Sequence, residues 1–134
     1  MFLKGKAAKA WLEANSKYFS YDELKCRCGC GQIKINTEHV NNLNALRTLA
    51  DSALISTSSY RCPAHNEKVG GARASKHMDG IATDILTPTL EFQEELIRLA
   101  RTLFGGVIAY HRKSDGARWI HVDSRAVPYF EDKR

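Results

Sequence analysis

Two short stretches, SKHMDGIATDI at residues 75–85 and RWIHVDS at residues 118–124, hold the residue types from which a hydrolytic metal site is built. Catalytic zinc takes three protein ligands, imidazole and carboxylate among them, and keeps one position open for water. His77 and Asp84 stand seven positions apart, with Gly80 and small residues between them. Asp84 lies among Ala82, Ile85 and Leu86, and an acid in a buried strand is rare unless it is paired or metal-bound. His121 sits in the otherwise apolar WIHVD, and Asp123 projects from the same face two residues later. If the two strands are neighbours, Asp84 and His121 meet on one face and His77 reaches in from the preceding loop. Taken singly, each is as readily a satisfied structural residue, so the spacing alone leaves both readings open.

The other candidates read more plainly. His39 lies in the helical stretch NTEHVNNL as a surface residue, His65 follows Pro63 in a capping or loop position, and His111 opens a charged, exposed turn. Asp79 reads as an exposed loop residue. Three cysteines, Cys26, Cys28 and Cys30, crowd into KCRCGCG, while Cys62 stands alone in YRCP. Alternating cysteines are closer than the two-residue spacer of a usual zinc knuckle, although three can line a turn. Free buried thiols, a disulfide to Cys62 and a structural metal all remain open.

These residues must be positioned by a small number of elements. KAAKAWLEANSK reads as a short helix ended by Asn15 and Ser16, and QIKI as a brief extended piece. NTEHVNNLNALRTLADSA reads as a helix behind a capping Asn36 or Thr37, with Val40, Leu43, Leu46 and Leu49 recurring every three residues. ALISTSSY is a β-branched strand candidate, and CPAHNEKVGG a short helix from Pro63 to the Gly70–Gly71 turn. GIATDIL fits a buried strand, and TPTLEFQEELIRLARTLFGG a helix capped by Thr87 and stopped by Gly105. GVIAY and RWIHVDS are two further strands joined by the charged turn HRKSDGA. The expected fold is α+β, a small antiparallel sheet with helices packed on it.

A chain of 134 residues suits one domain over residues 1–134, with a single core. No apolar run is long enough to span a bilayer, and the lysine-bearing N-terminus lacks the apolar core and cleavage site of a signal peptide. Synthesis in the cytoplasm is therefore expected, with any work at the cell wall needing another route of delivery. The net charge of +5 favours anionic partners, including acidic wall polymers, but the charges are scattered. Specific nucleic-acid binding and membrane insertion are not expected, and the chain is expected to be a monomer.

SSYRCPAHNEKVGGARASKHMDGIATDI, followed by WIHVDSR, resembles the zinc D-Ala-D-Ala carboxypeptidase family. That group includes vancomycin-resistance D,D-peptidases and phage peptidoglycan endopeptidases, and is related in fold to hedgehog domains. Its ordered signature is matched by Tyr60–Arg61, Asn66, Val69–Gly70–Gly71, Ser75, His77, Gly80, Ala82, Asp84–Ile85 and His121–Val122–Asp123. The lead-in FSYDELKCRCGCG resembles the N-terminal region of phage and bacterial members.

The resemblance implies one catalytic Zn2+ on His77, Asp84 and His121. It also implies that Arg61 polarises a scissile carbonyl or holds a substrate carboxylate, with Ser75 and Tyr60 contacting substrate. A guanidinium suits either task, through charge or through two parallel hydrogen bonds. The expected activity is hydrolysis of peptidoglycan stem or cross-link peptides next to D-amino acids, as in an endolysin released by a holin or carried by a virion. Relatives commonly carry an acid three residues before the last zinc histidine, and Arg118 stands there instead. A general base is still required. Asp115, in the turn SDGAR, and Asp123 are the candidates, although Asp123 is equally placed to orient an imidazole. A zinc-containing module that binds cell wall or builds a phage particle without catalysis is the alternative.

Overall fold

The computed structural model describes residues 1–134. The chain runs as β1 (Phe2–Lys4), α1 (Gly5–Asn15), α2 (Tyr21–Leu24), β2 (Lys34–Asn36), α3 (Thr37–Ala50) and β3 (Ser56–Ser58). It continues as α4 (Pro63–Lys68), β4 (Ala82–Leu86), α5 (Leu90–Ala100), β5 (Gly106–His111), β6 (Arg118–Asp123) and β7 (Tyr129–Lys133). This is the expected α+β architecture. A five-stranded sheet in the order β3-β4-β6-β5-β7 carries the helices, and β1 and β2 form a separate antiparallel pair.

The starts of α2, α3 and α5 follow from their local chemistry. Ser20 and Glu23 form a reciprocal capping box on α2, and the Asn36 side chain accepts from the His39 N–H at the start of α3. The cap of α5 is Thr89, which accepts from the Phe92 N–H; Thr87, expected in that role, is fully buried two residues earlier. Thr87 instead continues the line of the sheet, its backbone N–H donating to the Arg118 carbonyl at 2.9 Å, and the helix begins two residues later. On α3, Val40, Leu43 and Leu46 are buried but Leu49 is 54% exposed. A repeat of three lags the helical turn by about 60° per step, so the fourth residue comes round to the opposite face.

The sheet has two chemically different faces because side chains alternate along each strand. Ile85, Val107, Ala109, Ile120 and Val122 face the helices and join Leu43, Leu46 and Leu96 in the core. Asp84, Ile108, Tyr110, Trp119 and His121 line the other face. Gln93 of α5, fully buried, locks helix to sheet by donating to the Tyr110 and Trp119 carbonyls at 2.9 and 3.1 Å.

Two strands fall outside the sequence expectations. β1 pairs with β2, and β7 adds to β5 in parallel at the edge of an otherwise antiparallel sheet. His39 is a clear correction. It is 2% exposed, its ring held between Ser124 Oγ at 2.7 Å and Thr83 Oγ1 at 3.0 Å. Burial pushes its pKa down to about 3, so it stays neutral.

Candidate metal centre

Strand register brings the centre together. Asp84 on β4 lies directly opposite His121 on β6 across an antiparallel pair, so both side chains leave the same face. His77 comes from the loop before β4, which turns back at Gly80 with φ of +73°. A Cβ at Gly80 would lie 2.5 Å from the Lys34 carbonyl oxygen, so only glycine allows the loop to cross so close to β2.

Hydrogen bonds set which ring nitrogens face inward. His77 Nδ1 donates to the Ser59 carbonyl at 2.7 Å, leaving the Nε2 lone pair 3.3 Å from Asp84 Oδ1. His121 Nε2 donates to Asp123 Oδ2 at 2.8 Å, leaving the Nδ1 lone pair 3.1 Å from the same Asp84 oxygen. Three electron-pair donors therefore converge with no protein hydrogen required between them. Neighbouring donors around a tetrahedral ion at about 2.0–2.1 Å are separated by about 3.3 Å, so the trio fits zinc. Burial alone would raise the Asp84 pKa, but the two imidazoles hold it well below the usual carboxylate range. Burial would likewise lower that of His121, and Asp123 and Asp84 hold it above the ordinary value.

Asp123 is fully buried and has no free acceptor position. Oδ2 takes His121 Nε2 and an Arg125 amino group, while Oδ1 takes Arg125 Nε at 2.8 Å and the Arg125 backbone N–H at 3.1 Å. Burial would raise its pKa, and Arg125 with His121 drives it well below the usual range. The arrangement is that of a carboxylate orienting an imidazole, one of the two roles open in the sequence. Gly106 makes it possible, since a Cβ there would lie 2.3 Å from Asp123 Oδ1. Neither Gly106 nor Arg125 stood out in the sequence. The signal for Arg125 was its place two residues after Asp123 in HVDSR; Gly106 had none until its pairing with Asp123 was known.

Above the donors opens a cleft of ≈ 590 Å³. Arg61 lines it, held by Ser58 Oγ at 3.1 Å and Asn66 Oδ1 at 3.3 Å, with its free end 3.6 Å from Asp84 Oδ2. Ser75 also lines it, and its hydroxyl caps the turn by accepting from the His77 N–H at 3.2 Å. Trp119 stacks on Tyr110 with centroids 4.9 Å apart, forming a flat aromatic wall. Asp84 is the one acid in the lining, against Arg61, Lys76, Arg125 and Lys133.

Two candidates, Asp115 and Tyr60, are not brought to the cleft, and Arg118 also points away from it. Asp115 stays in the exposed β5–β6 turn, where both oxygens bind Arg112 at 3.0 and 2.8 Å, and that guanidinium holds its pKa down. Tyr60 lines a different groove with Lys34 and Met78, because neighbouring residues of an extended segment point to opposite sides. Arg118 projects towards the helices and donates to Gln93 Oε1 at 3.1 Å. A position three before His121 lies on the opposite face of a regular strand, so no side chain at 118 reaches the donors here.

A protein-family model described as Peptidase M15 matches residues 17–123, a span that holds all three donors, Arg61 and Asp123. No curated protein matches the chain.

Proposed function

Because the chain belongs to the M15 family of zinc D-Ala-D-Ala carboxypeptidases, a family of metallopeptidases, we propose that it hydrolyses peptidoglycan peptides at bonds next to D-amino acids. The observation that carries this reading is the cleft itself, where three converging donors, including Asp84 as the one acid of the lining, are surrounded by four cations. A stem peptide ends in a carboxylate and bears others along its length, so such a lining attracts it.

His77, Asp84 and His121 would hold the zinc, which when bound supplies a Lewis acid and a water acidic enough to react near neutral pH. The chain's own residues do the rest. Ser59 and Asp123 fix the two imidazole tautomers, so that both lone pairs point at one place. Arg61 is fixed at two of its nitrogens before substrate arrives, and its free end serves the substrate carboxylate or the developing oxyanion. The Tyr110–Trp119 wall gives the peptide an apolar surface on which to lie. Action at the cell wall, after passage through a holin lesion or delivery by a virion, accords with the net charge of +5.

A second reading has its own observation. Every carboxylate at the site is committed, Asp84 among the donors and Asp123 to Arg125 and His121, so no free acid lines the cleft to carry a proton. A zinc-containing wall-binding module would need none.

Purified peptidoglycan incubated with metal-stripped and zinc-restored protein separates the two. The hydrolase reading expects zinc-dependent products by mass spectrometry, either stems shortened by one residue or cross-linked dimers resolved into monomers. Sedimentation with the sacculi without any zinc-dependent product would establish the binding module instead.

A further inference from the structure

Residues 20–62 contain a second convergence of metal-ligating atoms that the peptidase site does not use. Cys26, Cys28, Cys30 and Cys62 are distant from the donor trio in sequence, yet their four sulfurs lie within 4.8 Å of one another. All four thiols are free. Cys26 Sγ and Cys28 Sγ are 3.5 Å apart, and Cys28 Sγ and Cys62 Sγ 3.8 Å. Around a tetrahedral ion with Zn–S near 2.3 Å, neighbouring sulfurs are separated by about 3.8 Å.

We propose that these four cysteines bind a structural zinc ion as a closed four-thiolate site. The local backbone is shaped for it. Alternate residues of an extended strand lie about 6.6 Å apart, too far for three side chains to share one ion. Here Gly29 and Gly31 adopt φ of +87° and +75°, coiling the segment so that Cys26, Cys28 and Cys30 turn to a common point. The fourth sulfur arrives from the start of α4.

Backbone N–H groups point at three of the four sulfurs. Cys62 N–H donates to Cys26 Sγ at 3.3 Å, Gln32 N–H to Cys30 Sγ at 3.4 Å and His65 N–H to Cys62 Sγ at 3.4 Å. Such donors stabilise charge on thiolates, as partners around a ligand shell do. Cys26 and Cys62 are buried and Cys28 and Cys30 are exposed residues, which leaves the ion a path of entry.

Soft sulfur ligands in a tetrahedron select zinc or iron over magnesium and calcium. The ion would cross-link the lead-in segment to residue 62, and so pin Arg61, its immediate neighbour, at the rim of the cleft. The site is thus structural, and it lies outside the peptidase mechanism.

Metal content separates this site from the histidine–aspartate one. Protein purified under reducing conditions with zinc should carry about two zinc ions per chain by elemental mass spectrometry. Asp84→Asn should keep about one, and a Cys28→Ser, Cys30→Ser double variant should also keep about one. Because the double variant can lose its fold with its metal, a second measurement uses Asp84→Asn alone. Loaded with cobalt(II), it should show the intense near-ultraviolet charge-transfer bands of cobalt thiolate, which an imidazole–carboxylate site lacks. Wild-type protein with one zinc and Asp84→Asn with none would overturn the proposal. So would cobalt spectra without thiolate bands, or thiols recovered as disulfides from freshly purified protein. Iron in place of zinc would overturn the choice of metal.

Discussion

His121 Nε2 donates to Asp123 Oδ2 at 2.8 Å, and this contact turns the opposite nitrogen of the ring towards Asp84. The histidine is a usable ligand because an acid two residues away on the same strand holds its tautomer. Asp123→Asn retains the shape of the side chain but removes the charge. It should weaken zinc binding by about 10–100-fold, the usual cost of losing such an orienting partner. Competition against a chelating dye measures this, and an unchanged affinity would remove Asp123 from that role.

Arg61→Lys keeps the positive charge and loses the planar fork held by Ser58 and Asn66. On the proposed peptidase mechanism, kcat/KM on a stem-peptide substrate should fall by about 10²–10³-fold, the typical loss of one oxyanion donor. Zinc content should stay at the wild-type level, because Arg61 is not among the donors. Parallel loss of metal and activity would instead make Arg61 a support for the ligand set.

Asp115→Ala tests the candidate that the fold leaves outside the cleft. Its carboxylate is spent on Arg112 at the surface, so kcat/KM should stay within about twofold of wild type. A loss of several orders of magnitude would mean that the β5–β6 turn folds over the substrate.

His39 should make stability depend on pH. Its folded pKa lies near 3, below the ordinary value of 6.5, because burial disfavours the charged ring. Between those values the unfolded chain binds a proton that the native chain does not, so stability rises with pH and is lost as pH falls below about 6.5. The slope from this one group approaches about 1.4 kcal/mol per pH unit. Urea titrations of metal-free protein across that window should show the slope in wild type and a shallower one in His39→Gln.

Local spacing determined much of this protein. The alternation of His121 and Asp123 and the acid at 84 in an apolar strand placed candidate donors on one face, because faces of strands are written into the sequence with period two, while the ordered blocks that resemble the zinc carboxypeptidase family singled out the set of three. The capping Asn36, the Pro63 helix start and the β-branched strands were legible for the same local reasons. Only the tertiary structure decided what depends on partners distant in the chain. His39 is buried because Thr83 and Ser124 come to meet it, and Asp123 is an occupied carboxylate because Arg125 wraps back onto it. Asp115 and Tyr60 matched by chemistry and spacing, but a turn salt bridge and strand parity point them elsewhere. The four cysteines show the limit most clearly. Their spacing looks wrong for a metal until glycine turns and a 36-residue separation in sequence are closed into one cluster.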